Sequence, residues 1–97
     1  MYHIVYTKQA VKDIKNLKSS GLDSKAKQLI EIIKKNPFQN PPPYETLVGN
    51  LSGFYSRRIN IQHRLVYQIL QEPISIDEKN YIGTIKIIRM WTHYEGI

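Results

Sequence analysis

The sequence predicts a single α+β domain in which two N-terminal helices pack on one face of a four-stranded, mainly antiparallel sheet. Three observations carry that prediction. The chain of 97 residues, 41% hydrophobic with five glycines and five prolines, has the size and composition of one globular domain spanning residues 1–97. Apolar residues recur at helical spacing up to Asn36 and at strand spacing after Asn50. Between the two patterns lies PFQNPPPYETLVGN, whose prolines exclude a regular helix or strand.

The first segment, YHIVYT, is short, β-branched and aromatic, which suits a strand. From Lys8 onward Val11, Ile14 and Leu17 form an apolar stripe with Lys8, Lys12, Lys15 and Lys18 outside it, and Ser19, Ser20 and Gly21 end the pattern. A second helix is expected from Asp23, acting as N-cap, with Ala26, Leu29, Ile30 and Ile33 buried. Pro37 stops it by disfavouring the helical conformation at Asn36. Pro37, Pro41, Pro42 and Pro43 predict a stiff, extended connection. Three strands follow, GFYSRRI, HRLVYQIL and TIKIIRMWTHY, joined by connections that permit hairpins but not the helical crossovers of parallel pairing. The segment QEPISIDEKNYIG fits either an extended hairpin or a flexible loop.

The net charge of +6 points to an anionic partner, nucleic acid or acidic protein, although a bland basic surface gives the same sum. Eight of the ten lysines precede Asn36, whereas all four arginines lie beyond it. Lysine is a flexible point charge and arginine a planar fork suited to phosphate or carboxylate, so two kinds of basic surface are implied. No cysteine is present, which excludes disulfides and thiolate metal sites and suits a reducing compartment. No apolar run has signal-peptide or membrane-spanning length, so a cytoplasmic protein without a membrane is expected. The three dispersed histidines show no ligand spacing, and neither metal nor cofactor is expected.

The chemistry-bearing stretch is NLSGFYSRRINIQHRLVY, with Arg57, Arg58 and Arg64 in a region that has no Asp or Glu between Glu45 and Glu72. A three-residue loop at Asn60, Ile61 and Gln62 sets Ile59 opposite His63, Arg58 opposite Arg64 and Arg57 opposite Leu65. Alternation then groups Phe54, Ser56 and Val66 with the Arg58–Arg64 pair, and Ile59, Leu65, Tyr67 and Ile69 on the other, core face. Two guanidiniums directly opposite repel, and a bound phosphodiester would relieve them; the plain alternative is two outward residues on a solvated face. Phe54, Tyr55, Trp91 and Tyr94 offer stacking surfaces for unpaired bases, with Arg57 as a further RNA contact, although aromatics in a small domain more often serve the core.

RNA carries its own nucleophile, the 2′-OH, so cleavage needs a base, cations for the phosphorane and an acid for the leaving 5′-oxygen. Glu45, alone in the acid-free stretch, and His93, near the end of the last strand, are the candidates; His3 and His63 are weaker, and His63 falls on the core face. Alternation puts His93 on the side of Ile85, Ile87 and Trp91, so reaching the cationic face requires a bulge.

Glu45, NLSGFYSRRI, HRLVY and the terminal His93-Tyr94 pair together resemble the YoeB/Txe toxins of bacterial type II toxin–antitoxin systems, within the RelE superfamily. The resemblance implies a RelE-like (microbial ribonuclease-like) fold with a curved, mainly antiparallel four-stranded sheet. It implies a metal-independent, ribosome-dependent endoribonuclease, an mRNA interferase cutting mRNA in the ribosomal A site. It further implies a YefM-like antitoxin partner and leaves a homodimer open. Residue by residue, Glu45 is then the general base, His93 the general acid, Arg64 the main phosphorane stabiliser assisted by Arg58, and Tyr94 a positioning group. The arginines would await the substrate as their counter-ion. Three features depart from the family pattern: Val48 where lysine is usual, Glu95-Gly96-Ile97 beyond the His-Tyr pair, and a long connection from Gln71 to Gly83. Two other functions stay open, a RelE-fold interaction protein of the gyrase-inhibitor kind and a non-catalytic RNA-binding module.

Overall fold

The computed structural model describes residues 1–49 and 53–92, Thr92 by its backbone alone. The chain runs β1 (Tyr2–Tyr6), α1 (Lys8–Ser19), α2 (Asp23–Lys35), β2 (Glu45–Thr46), β3 (Phe54–Arg58), β4 (Arg64–Leu70), β5 (Ile74–Ile76), β6 (Lys79–Tyr81) and β7 (Gly83–Thr92). His93, Tyr94 and the Glu95-Gly96-Ile97 tail, to which the sequence assigns the acid and its neighbours, lie outside the described residues.

The main sheet has five strands in the order β1-β7-β4-β3-β2, one more than the four expected. The addition is β2, a two-residue edge strand inside the segment read as loop; it pairs antiparallel with β3, Glu45 opposite Ser56 and Thr46 opposite Tyr55. β3 and β4 form the anticipated hairpin, with Arg58 opposite Arg64 and Arg57 opposite Leu65. Asn60 explains that register, because its side-chain oxygen accepts from the backbone N–H groups of Gln62 at 2.9 Å and His63 at 2.7 Å. β1 and β7, the first and last strands, pair in parallel. The undecided segment after Gln71 forms a separate two-stranded ribbon, β5 with β6. Its two-residue turn sets Asp77 at φ 50° and Glu78 at φ 67°, the left-handed pair that closes a tight hairpin.

Both helices pack on one face. Thr7 caps α1 by accepting from Ala10 N at 3.0 Å, and its hydroxyl donates to the carbonyl of Ile88 at 2.8 Å, tying the helix start to β7. The far end closes in a Schellman motif, Leu22 N to Leu17 O and Gly21 N to Lys18 O, with Gly21 at φ 75°. α1 buries Ala10, Asp13 and Leu17, while Val11, expected inside, is half exposed. α2 buries Ala26, Leu29, Ile30 and Ile33 as the sequence indicates; Asp23 is its first residue rather than its cap, which is Leu22 with no side-chain bond. The core joins these faces to Ile59, Leu65, Tyr67, Ile85, Ile87 and Met90.

Strict alternation in β7 would send position 89 inward after Ile85 and Ile87. Instead the β4–β7 register shifts between Arg64 and Val66 and again between Val66 and Tyr67, and Met90 is buried. Asp13 holds this irregular segment. Its Oδ2 accepts from Met90 N at 2.9 Å and from Arg89 Nε at 3.0 Å, and its Oδ1 accepts from Gln9 Nε2 at 3.1 Å. Burial works to raise the Asp13 carboxyl, but the bonds from Arg89, Met90 and Gln9 and the guanidinium charge outweigh it and leave the group below the ordinary carboxylate value. A depressed folded-state pKa stabilises the protein above the unfolded value, about 3.9, and that contribution is lost as pH falls through the folded value. Thermal melts from pH 7 to 2 are therefore expected to show a steeper decline below about pH 4 in the parent than in Asp13→Asn. Parallel declines would show that the carboxylate charge contributes nothing there.

Candidate functional site

Three strands bring the predicted polar residues together. Glu45 on β2 faces Ser56 on β3, and Arg58, two residues along β3, faces Arg64 on β4, so pleat alternation puts all four on one side of the sheet. With Pro43 and Tyr44 from the proline segment they line a cleft of about 240 Å³. Arg64 spans it: Nη2 lies 3.2 Å from Glu45 Oε1, and Nη1 donates to Ser56 Oγ at 3.2 Å. Side-chain exposure is 15% for Arg64 and 52% for Glu45, so the carboxylate is open to a ligand while the guanidinium is largely enclosed. Arg58 is exposed beside them and has no ion-pair partner among the described residues.

This corrects the idea that the arginines wait unpaired for a counter-ion. Arg64 pairs with Glu45, and Arg89 pairs with Asp13. Glu45, although thirteen positions before Arg58 in sequence, reaches the arginine pair because β2 adds an edge strand to the hairpin. The cross-strand repulsion is thus already offset in the unbound protein, in part by a half-exposed carboxylate whose worth is limited by solvent screening.

Arg57 requires a larger correction. Expected to contact RNA, it is fully buried. Its Nε donates to Tyr67 Oη at 3.0 Å, Nη1 to Pro42 O at 2.6 Å, and Nη2 to Pro37 O at 3.0 Å and Gln39 O at 2.9 Å. The guanidinium also lies 5.0 Å from the centroid of the Tyr44 ring. Tyr67 completes the network by donating to Pro37 O at 3.1 Å; burial pushes its phenol above the usual value, with Arg57 pulling the other way, so it stays a neutral donor. The proline segment is therefore wrapped around Arg57 rather than stretched out as a rod. Arg57 fixes the loop that delivers Tyr44 and Glu45 to the cleft.

The two aromatic candidates divide. Phe54 lies on the cleft side of β3 and is partly exposed. Tyr55 lies on the opposite side, stacked on Tyr67 at 5.8 Å and edge-on to Phe38 at 5.6 Å, where it packs against the core. It belongs to an aromatic cluster beneath the proline loop and not to the cleft. His63 stacks on Trp91 with centroids 3.7 Å apart, which takes both rings into the sheet end. Val48 is 82% exposed just beyond β2. Alternation already placed Ser56 on the cationic face, without giving it a role in the cleft, whereas Tyr44 was missed; its signal was its adjacency to Glu45.

Residues 6–94 match the model of a protein family described as the YoeB-like toxin of bacterial type II toxin–antitoxin systems. The chain belongs to that family. Among YoeB-like relatives, Toxin YoeB of Synechocystis sp. is 48% identical over 48 residues, which cover 50% of this chain and 56% of that protein. The chain thus spans little more than half the length of that curated relative. Solved YoeB structures match it nearly end to end. The YoeB–YefM complex of Staphylococcus aureus is 32% identical, with a TM-score of 0.71 over 97% of this chain and 99% of the matched one. A YoeB/ParE toxin from Agrobacterium tumefaciens is 26% identical, with a TM-score of 0.75 over 95% and 99% of the two chains.

Proposed function

We propose that this YoeB-like chain is a ribosome-dependent endoribonuclease that cleaves mRNA in the A site and is restrained by a YefM-like antitoxin. The observation that carries the reading is the convergence of Glu45, Arg58 and Arg64 on one cleft, with Arg64 within 3.2 Å of the carboxylate. In the reaction Glu45 takes the proton of the 2′-OH, the 2′-oxygen bonds to phosphorus, and the bond from phosphorus to the 5′-oxygen breaks. His93 supplies the proton for that leaving oxygen, and the products carry a 2′,3′-cyclic phosphate and a 5′-OH. Arg64, assisted by Arg58, stabilises the charge on the pentacoordinate phosphorus. Tyr94 positions the RNA or the histidine, and Phe54 offers a stacking face.

A small cleft of this kind reads little sequence, so the ribosome would position the message. Mapping the RNA ends produced from mRNA-programmed ribosomes tests the reading: cuts in the A-site codon with 5′-OH ends are expected. Equally rapid cutting of free RNA, or no cutting at all, would contradict it. The antitoxin partner follows from the basic surface and from the solved complex of the S. aureus relative with YefM. An acidic segment of such a protein would meet the +6 chain under electrostatic steering.

Arg64→Met keeps the apolar stem but removes the fork. It is expected to lower cleavage by on the order of 10² or more. Because Arg64 already bonds Ser56 and Glu45, relief of its repulsion with Arg58 brings no gain, and the melting temperature should not rise. A stabilised variant with full activity would remove Arg64 from the site.

A further inference from the structure

We propose that Ser56 is a positioning residue for cleavage, holding the Arg64 guanidinium where charge develops on the phosphorus; this rests on the nuclease reading above. Ser56 is fully buried in the middle of β3, flanked by Glu45 on β2 and Val66 on β4. A hydroxyl at such a position is costly unless it is hydrogen-bonded, and a β-branched apolar residue would suit the strand better. The bond it makes is to the cleft: Ser56 Oγ accepts from Arg64 Nη1 at 3.2 Å, while Nη2 of the same guanidinium lies 3.2 Å from Glu45 Oε1.

Among the described residues the arginine fork is thus held on two different nitrogens by adjacent strands, one anchor neutral and fixed, the other charged and half exposed. Two anchors on different nitrogens set the plane of the guanidinium as well as its place. Without the serine, Nη1 loses that anchor and the fork shifts toward both oxygens of Glu45, the geometry that arginine and carboxylate favour. That would draw the cation away from the phosphate and cover the oxygen that must accept the 2′-OH proton. Ser56 keeps the cation preorganised and the carboxylate accessible, although it touches neither substrate nor scissile bond.

Single-turnover cleavage on programmed ribosomes, measured with the parent chain, Ser56→Ala, Ser56→Thr, Arg64→Met and the Ser56→Ala/Arg64→Met double variant, tests this role. Ser56→Ala is expected to lower the saturated rate about tenfold, the worth of one hydrogen bond from a charged donor, with the half-saturating ribosome concentration unchanged. Ser56→Thr, which restores a hydroxyl, should recover most of that loss. In the Arg64→Met background the serine change should cost nothing further, because its only effect passes through the arginine. Side-chain nitrogen-15 spectra without ribosomes should show the Arg64 guanidinium ordered in the parent and averaged in Ser56→Ala. Losses that multiply in the double variant, a loss confined to half-saturation, failure of a folded threonine variant to recover, or an unchanged guanidinium spectrum would each overturn the role. A parent chain that cuts nothing would remove the nuclease reading itself and this role with it.

Discussion

Arg57→Ala is expected to cost about 3–5 kcal/mol of folding stability, the combined cost of buried acceptors that lose a donor, about 1–3 kcal/mol for each one left unsatisfied, and of a large side chain removed from a packed site. The side chain supplies four hydrogen bonds, to Tyr67 and to the carbonyls of Pro37, Gln39 and Pro42; on truncation Pro37 O keeps only the Tyr67 hydroxyl, and the carbonyls of Gln39 and Pro42 lose the donor that Arg57 gives them. Buried acceptors without partners carry their full desolvation cost, and the space left by a fully buried arginine adds a cavity. Against a total of about 5–15 kcal/mol for a domain of ordinary stability, the loss is large. Arg57→Lys should recover little, since an ammonium cannot span acceptors arranged for a planar fork. Urea denaturation of the three proteins measures this directly. A loss below about 1 kcal/mol accompanied by weaker RNA binding would return Arg57 to the RNA-contacting role suggested by its neighbours Arg58 and Arg64.

Such a loss would also explain why the sequence conceals this residue. Cross-strand pairing with Leu65 already put Arg57 on the core side of the hairpin, yet no local pattern shows what satisfies a buried guanidinium. Its acceptors are backbone carbonyls 15 to 20 positions earlier, in a segment whose prolines signalled only the absence of helix and strand. Asp13 was hidden in the same way. It sits among lysines as though part of the polar stripe of α1, and only the irregular pairing of β7 gives it a backbone N–H and an arginine to bond. Alternation cannot foresee a bulge, so Met90 and Arg89 exchange the places that a regular strand would assign.

The features set by local chemistry were legible. The Asn60 loop fixed the hairpin register, the apolar spacing of α2 fixed its buried face, and the pairing of Arg58 with Arg64 followed from both strands. The ribbon of β5 and β6 was not, because Asp77-Glu78 lacks the glycine or asparagine that marks a tight turn. The cleft itself was half legible: its cations were visible in one stretch of sequence, whereas the edge strand that brings Glu45 against Arg64 arises from pairing within a loop.

Glu45→Gln bears most directly on the assignment of RNA cleavage to this cleft. The substitution keeps the length of the side chain and an oxygen to face Arg64, and it removes the negative charge and with it the capacity to accept a proton. Cleavage of mRNA on programmed ribosomes should fall by about 10² to 10⁴, the usual worth of a general base, while the variant melts close to the parent. A folded Glu45→Gln protein that cuts the message at the parent's rate would contradict the proposed chemistry.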